Sequence, residues 1–94
     1  MISDKDRKNM KQFYNAILTL KTEDEVSKFF DDVATIKEVL DLASRLEVAR
    51  MLTEKKVFSE ISKETGASSA TISRVNKCLN YGDGGYKTAL DRLK

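Results

Sequence analysis

Residues 68–77, SSATISRVNK, gather three serines, a threonine, an arginine and a lysine within ten positions. Covalent catalysis is a poor match for this set. The chain contains no histidine, so a catalytic thiol would lack its usual imidazole base. The single cysteine, Cys78, has no disulfide partner within the chain, and a zinc site without histidine is implausible. No paired carboxylates mark an acid–base site. NYGDGG at 80–85 is rich in glycine but lacks the lysine of a phosphate-cradling loop, and it follows a helical pattern, so it is read as a helix stop. What remains is recognition: short hydroxyls that exchange hydrogen bonds, and cations that meet phosphate or carboxylate. The expectation is therefore a non-enzyme with no cofactor and no metal.

Charge supports an anionic partner. The net charge is only +2, but residues 1–54 hold 9 Lys/Arg against 11 Asp/Glu, whereas residues 55–94 hold 8 against 4. The half that carries the hydroxyl-rich segment is the basic one.

The elements that must position these residues are helices. Proline is absent, glycine is sparse and a third of the chain is charged, a composition that favours a soluble all-α fold. Met10, Phe13, Tyr14, Ile17 and Leu18 form a helical stripe behind a cap at Ser3. Thr22 with Glu25 is a capping box that opens a second helix, with Val26, Phe29, Phe30 and Val33 facing inward. Thr35 with Glu38 repeats the device and opens a third helix running to about Thr53. Along it Ile36, Val39, Leu42, Leu46, Ala49 and Leu52 recur at heptad-like spacing. A break near Ser44 is an alternative, since SRLE also has capping-box form. Short helices follow at 58–65 and 69–79. The three glycines of NYGDGG can take left-handed conformations, and a last helix spans 86–93 with Tyr86, Ala89, Leu90 and Leu93.

The predicted architecture is six helices in one domain, 1–94. Narrow apolar faces on short helices are often completed across a dimer interface, so a homodimer is expected. No apolar run is long enough to span a bilayer, and no charged-then-apolar leader opens the sequence, so the expected location is the cytoplasm.

The stretch 58–77, FSEISKETGASSATISRVNK, fits a helix-turn-helix. With Phe58 as the first position, Gly66 is the ninth, where the turn favours a left-handed residue. Ile61, Thr65, Ala67, Ile72 and Val75 then occupy the fourth, eighth, tenth, fifteenth and eighteenth, the sites that pack between the helices. Ser62, the fifth, must be small because the helices approach most closely there. The outward residues Ser69, Ala70, Ser73, Arg74 and Lys77 leave a slim, polar, partly basic face suited to a major groove. A cap at Ser68 or Ser69 would leave N-terminal N–H groups facing phosphate. Lys55, Lys56 and Lys63 lie where the preceding helix would cross the backbone. The alternative is a plain αα-corner serving packing, or a protein-interaction module that binds no DNA.

ETGASSATISRVNKCL resembles the helix-turn-helix of the tryptophan repressor superfamily, in which a glycine-alanine turn leads into an A-T-I-T/S-R recognition helix. Thr35 at the head of a long third helix, with Arg45 ten residues on, matches the same pattern. The most similar branch is the YerC/YecD group of Trp-repressor-like proteins. The resemblance implies an intertwined all-helical dimer that places two recognition helices in successive major grooves of a palindromic operator in double-stranded DNA. Half-sites would lie roughly 34 Å apart. Base contacts would come from Ser69, Ala70 and Ser73. Side chains this short leave room for water-mediated readout, for which the tryptophan repressor is the familiar example.

The resemblance also implies an effector pocket between the third helix and the recognition helix. Thr35, Arg45 and Arg74 match three polar anchors of the corepressor. Two positions depart from the family: Val75 stands where a glycine receives the indole, and Cys78 where a serine meets the amine. A valine side chain takes space the flat ring needs, and a thiol is a poor partner for ammonium. Both departures argue against tryptophan, leave a smaller effector open, and allow Arg45 and Arg74 to serve phosphates or surface carboxylates instead.

Overall fold

A computed structural model of the chain describes residues 1–94 as six α-helices and no strands. They divide into two compact units, residues 1–36 and 37–94.

The first unit holds α1 (Asp4–Leu18) and α2 (Glu23–Val33). Ser3 caps α1 by accepting from the Asp6 N–H at 3.1 Å, and Thr22 caps α2 by accepting from the Glu25 N–H at 3.1 Å. The carboxylate of the second cap reaches back one residue further than a standard capping box, with Glu25 accepting from the Lys21 N–H at 2.8 Å. Acidic first turns, Asp4 and Asp6 in α1 and Glu23 to Glu25 in α2, complement the positive ends of both helices.

Between these helices Phe13 and Phe29 stack with ring centroids 5.8 Å apart, and Phe30 meets Phe29 edge-on at 5.6 Å. The expected apolar stripes are nevertheless not enclosed. No residue of α1 or α2 is fully buried, and Met10, Tyr14, Leu18, Val26 and Val33 are exposed. The reason is geometric: a helix pair covers only the contact line between its members, and the rest of each stripe stays open.

The second unit carries the core. It contains α3 (Ile36–Thr53) from Lys37 onward, α4 (Phe58–Thr65), α5 (Ser69–Tyr81) and α6 (Gly85–Leu93). Val48, Ala49 and Met51 of α3, Ile61 of α4, Ile72 and Val75 of α5 and Leu90 of α6 form one buried cluster, with Leu46, Leu52, Ala67, Leu79 and Tyr86 packed against it. Each fully buried Val, Ile or Met contributes about 1.5–3 kcal/mol relative to exposure, so this cluster is what holds the four helices together.

Helix α3 runs without a break through Ser44, because its backbone ladder continues into the buried turns at 48–52. Its apolar stripe is used only in part: Ile36 and Leu42 are exposed, whereas Val48 and Met51, off that stripe, are core. The last turns of α3 pack against residues from three helices. Residues 48, 49, 51 and 52 therefore bury an arc of roughly 160°, wider than one heptad seam.

The end of α3 is a Schellman turn. The Lys56 N–H donates to the Met51 carbonyl at 3.1 Å and the Lys55 N–H to that of Leu52 at 3.0 Å. This geometry puts Lys55 at φ 63°, a left-handed conformation that costs an L-residue about 1–2 kcal/mol.

Helix α5 extends two residues past the expected end at 79 and stops at Gly82, whose N–H donates to the Cys78 carbonyl at 2.9 Å. Of the glycines in NYGDGG, only Gly84 is left-handed. Gly82 is needed for close approach: a Cβ there would lie 2.5 Å from the Cys78 oxygen, whereas one on Gly85 would meet nothing within 4 Å. Gly82→Ala is accordingly expected to lower stability by about 2 kcal/mol, and Gly85→Ala to raise it by about 0.5 kcal/mol, in urea unfolding at fixed protein concentration.

Candidate nucleic-acid interface

The site is built on α4, the turn 66–68 and α5. Ile61, Ile72 and Val75 are 0%, 0% and 2% exposed, so the three strongest apolar positions of the corner clamp its two helices to the core. Gly66 takes φ 75°, and its N–H donates to the Ser62 carbonyl at 2.9 Å.

Side-chain hydroxyls satisfy the rest of the turn. Thr65 Oγ1 donates to the Ile61 carbonyl at 2.7 Å and accepts from the Ala67 N–H at 3.1 Å. This explains threonine at a position that packing alone would give to an apolar residue. Ser62 is exposed rather than wedged between the helices, and its Oγ donates to the Ala67 carbonyl at 2.9 Å. The small side chain is there to reach across the turn.

Ser68 begins α5. Its Oγ accepts from the Thr71 N–H at 3.2 Å and donates to Thr71 Oγ1 at 3.1 Å. The first intrahelical bond is Ile72 N–H to the Ser68 carbonyl at 3.0 Å, so the Ser69 and Ala70 N–H groups lie ahead of the ladder. A helix start of this kind attracts anions.

Ser69, Ala70, Ser73, Arg74 and Lys77 are exposed along α5 with no large apolar side chain among them, and Cys78, Asn80 and Tyr81 are exposed at its C-terminal end. The helix carries no acidic residue, and neither Arg74 nor Lys77 joins an ion pair. Lys63 is exposed and unpaired on α4, and Lys56 stands 3.9 Å from Glu60, a loose contact worth little. By contrast Arg50 is held by Glu47 and Glu54, and its hydrogen bond keeps the Glu47 carboxyl below the usual carboxylate range. That guanidinium is committed to the C-terminal end of α3.

The residues matched to an effector pocket are largely brought together. Arg45, Arg74, Val75 and Cys78 line one cavity of about 130 Å³ in the second unit. Thr71 and Tyr86, neither of which the family resemblance predicts for the pocket, complete it. Tyr86 was legible only as part of the apolar stripe of the last helix, and Thr71 only as part of the recognition motif. Thr35 lies in the first unit, one residue before α3. A larger open groove, about 800 Å³, runs past the turn, where Asp41, Glu47 and Glu64 of α3 and α4 line it together with Arg45 and with Ser68 and Thr71 at the start of α5. No group of Cys, Asp and Glu side chains is placed to hold a metal ion, and no helix is long and apolar enough to cross a membrane.

Comparison with known proteins agrees with this corner. The family model described as Trp repressor protein matches residues 8–94. The uncharacterized protein YerC of Bacillus subtilis (strain 168) is 56% identical over 87 residues, spanning 93% of this chain and 84% of its own length. A TrpR-like protein from Eubacterium eligens ATCC 27750 superposes with a TM-score of 0.88 at 51% identity, covering 92% of this chain and 89% of that one. A candidate Trp repressor from Staphylococcus aureus gives the same TM-score at 41% identity, over 92% and 86%. The glycine turn, the Ser68 cap and the small outward face thus sit within a match that runs almost end to end, and the chain belongs to the Trp repressor family of regulators, in its YerC-like group.

Proposed function

We propose that this protein is a sequence-specific DNA-binding transcriptional regulator of the repressor type. Residues 1–94 act as one Trp-repressor-like domain, and two copies place α5 in successive major grooves of a palindromic operator. The observation that carries this reading is the exposed face of α5 over residues 69–77: hydroxyl-bearing and small at its start, cationic further along and without a single carboxylate. A slim helix can enter a groove that a helix with bulky side chains cannot. Ser69, Ala70 and Ser73 stand at the end of α5 that meets base edges. Ser68 with the first N–H groups of α5, and Arg74, Lys77, Lys63 and Lys56, supply phosphate contacts that fix register.

Binding should be salt-sensitive. Lys77→Ala is expected to weaken binding alike on all sequences and to flatten the salt slope by about 1 per subunit, whereas Ser73→Ala changes the relative preference among operators. Mobility shifts on sites selected from a randomised DNA pool read both effects. A protein that retains no DNA from such a pool at low salt would sink the proposal. A protein-interaction module built on the same corner would instead keep its function when Ser69, Ser73 and Lys77 are changed.

A second reading is favoured by the small cavity. Arg45 and Arg74 face it with no carboxylate paired to either, which suits a compact amino-acid-like anion as corepressor. Its volume of about 130 Å³ falls below the roughly 300–1,000 Å³ of typical drug-sized sites, and Val75 is packed against it at 2% exposure. DNA binding therefore proceeds without tryptophan. Calorimetry should show no heat with tryptophan and no change in operator affinity in its presence; tryptophan-dependent binding would refute this part of the proposal.

A further inference from the structure

Lys55 holds a backbone conformation that its residue type disfavours. It is the only non-glycine residue of the chain with positive φ, and it occupies the position at the end of a Schellman turn that helices usually give to glycine. The chain does use glycine at its other left-handed positions, Gly66 and Gly84. Nothing inside the molecule compensates for a lysine there. Its side chain is exposed and makes no hydrogen bond or ion pair. The adjacent carboxylate, Glu54, is already taken by Arg50, and the nearest acid of α4, Glu60, faces Lys56. An unpaired ammonium is thus held at a strained position that a glycine would fill more comfortably. Strain of this kind, kept without internal return, points to function.

We propose that Lys55 is a DNA-backbone contact, made from the turn that leads into α4 and therefore outside the recognition helix. The inference rests on the DNA-binding reading above, and the left-handed backbone is what singles out Lys55 among the three lysines of this segment. A single ammonium on a flexible stem acts on phosphate as a point charge, and it supplies affinity and register rather than base preference. Lys55 and Lys56 then form a tandem cationic step ahead of the helix-turn-helix, with Lys63 further along α4.

The test compares the unaltered protein with Lys55→Gly, Lys55→Gln and Lys55→Arg on the same selected DNA and on unrelated duplex. Lys55→Gly removes both strain and charge, so it should melt at a higher temperature and yet bind DNA more weakly. Lys55→Gln keeps the strain and loses the charge, so it should match the binding loss without the gain in melting temperature. Lys55→Arg should bind like the unaltered protein. The loss should be equal on both DNAs, and a fourfold rise in salt should weaken the unaltered protein about 3.5-fold more than Lys55→Gly for each contact removed. If Lys55→Gly melts higher and binds with unchanged affinity and salt slope while the unaltered protein binds DNA, this inference alone is overturned. If the unaltered protein binds no DNA, the reading beneath it fails as well.

Discussion

Everything in the second unit depends on how the chain turns between α4 and α5. A tight turn buries little and leaves several backbone groups without helical partners. Here they are satisfied locally, by the left-handed Gly66 and by the hydroxyls of Ser62, Thr65 and Ser68. With the polar accounts closed, Ile61 and Ile72 can both be driven to zero exposure against Val48 and Met51. Packing on one side of α5 is what frees its other side. Because Ile72 and Val75 anchor the helix, Ser69, Ala70, Ser73, Arg74 and Lys77 need contribute nothing to the core.

Charge is distributed on the same principle. Arg50 is paired twice, with Glu47 of its own helix and with Glu54 just past the helix end, whereas the cations of α5 and of the turn before α4 have been left without strong partners. Exposed ion pairs contribute little to stability, so the difference matters less for folding than for which cations are available to a polyanion. The two arginines at the small cavity belong to neither pattern cleanly. Arg45 is half-buried and Arg74 exposed, and Val75 between α5 and the core limits what can sit beside them. The aromatic and aliphatic side chains of the first unit, Tyr14, Leu18 and Val33 among them, are left exposed by the chain's own fold.

Much of this was legible from the residues. Caps at Ser3, Thr22 and Ser68 and the glycine at 66 mark helix ends by local chemistry, and local chemistry survives into the fold. The helix-turn-helix was readable because its interior positions lie within twenty residues of each other. The core of α3 was not, because which side of a long helix is buried is decided by partners distant in sequence. Heptad spacing favoured Leu42, and the packing of α4 to α6 selected Val48 and Met51. The role of Ser62 and the left-handed Lys55 were likewise hidden, since propensity favours neither serine reaching across a turn nor lysine at a glycine position. Tyr86 at the cavity joins two segments that no short pattern connects.

The central claim is that the outward face of α5 is the surface that meets DNA. Backbone amide chemical shifts, followed by NMR as a selected duplex is titrated into the labelled protein, test it most directly. The account predicts the largest changes at 68–77, with smaller ones near 55–56 and 63. Shifts confined to the first unit or to α3 around Asp41 and Glu47, with α5 unmoved, would contradict it.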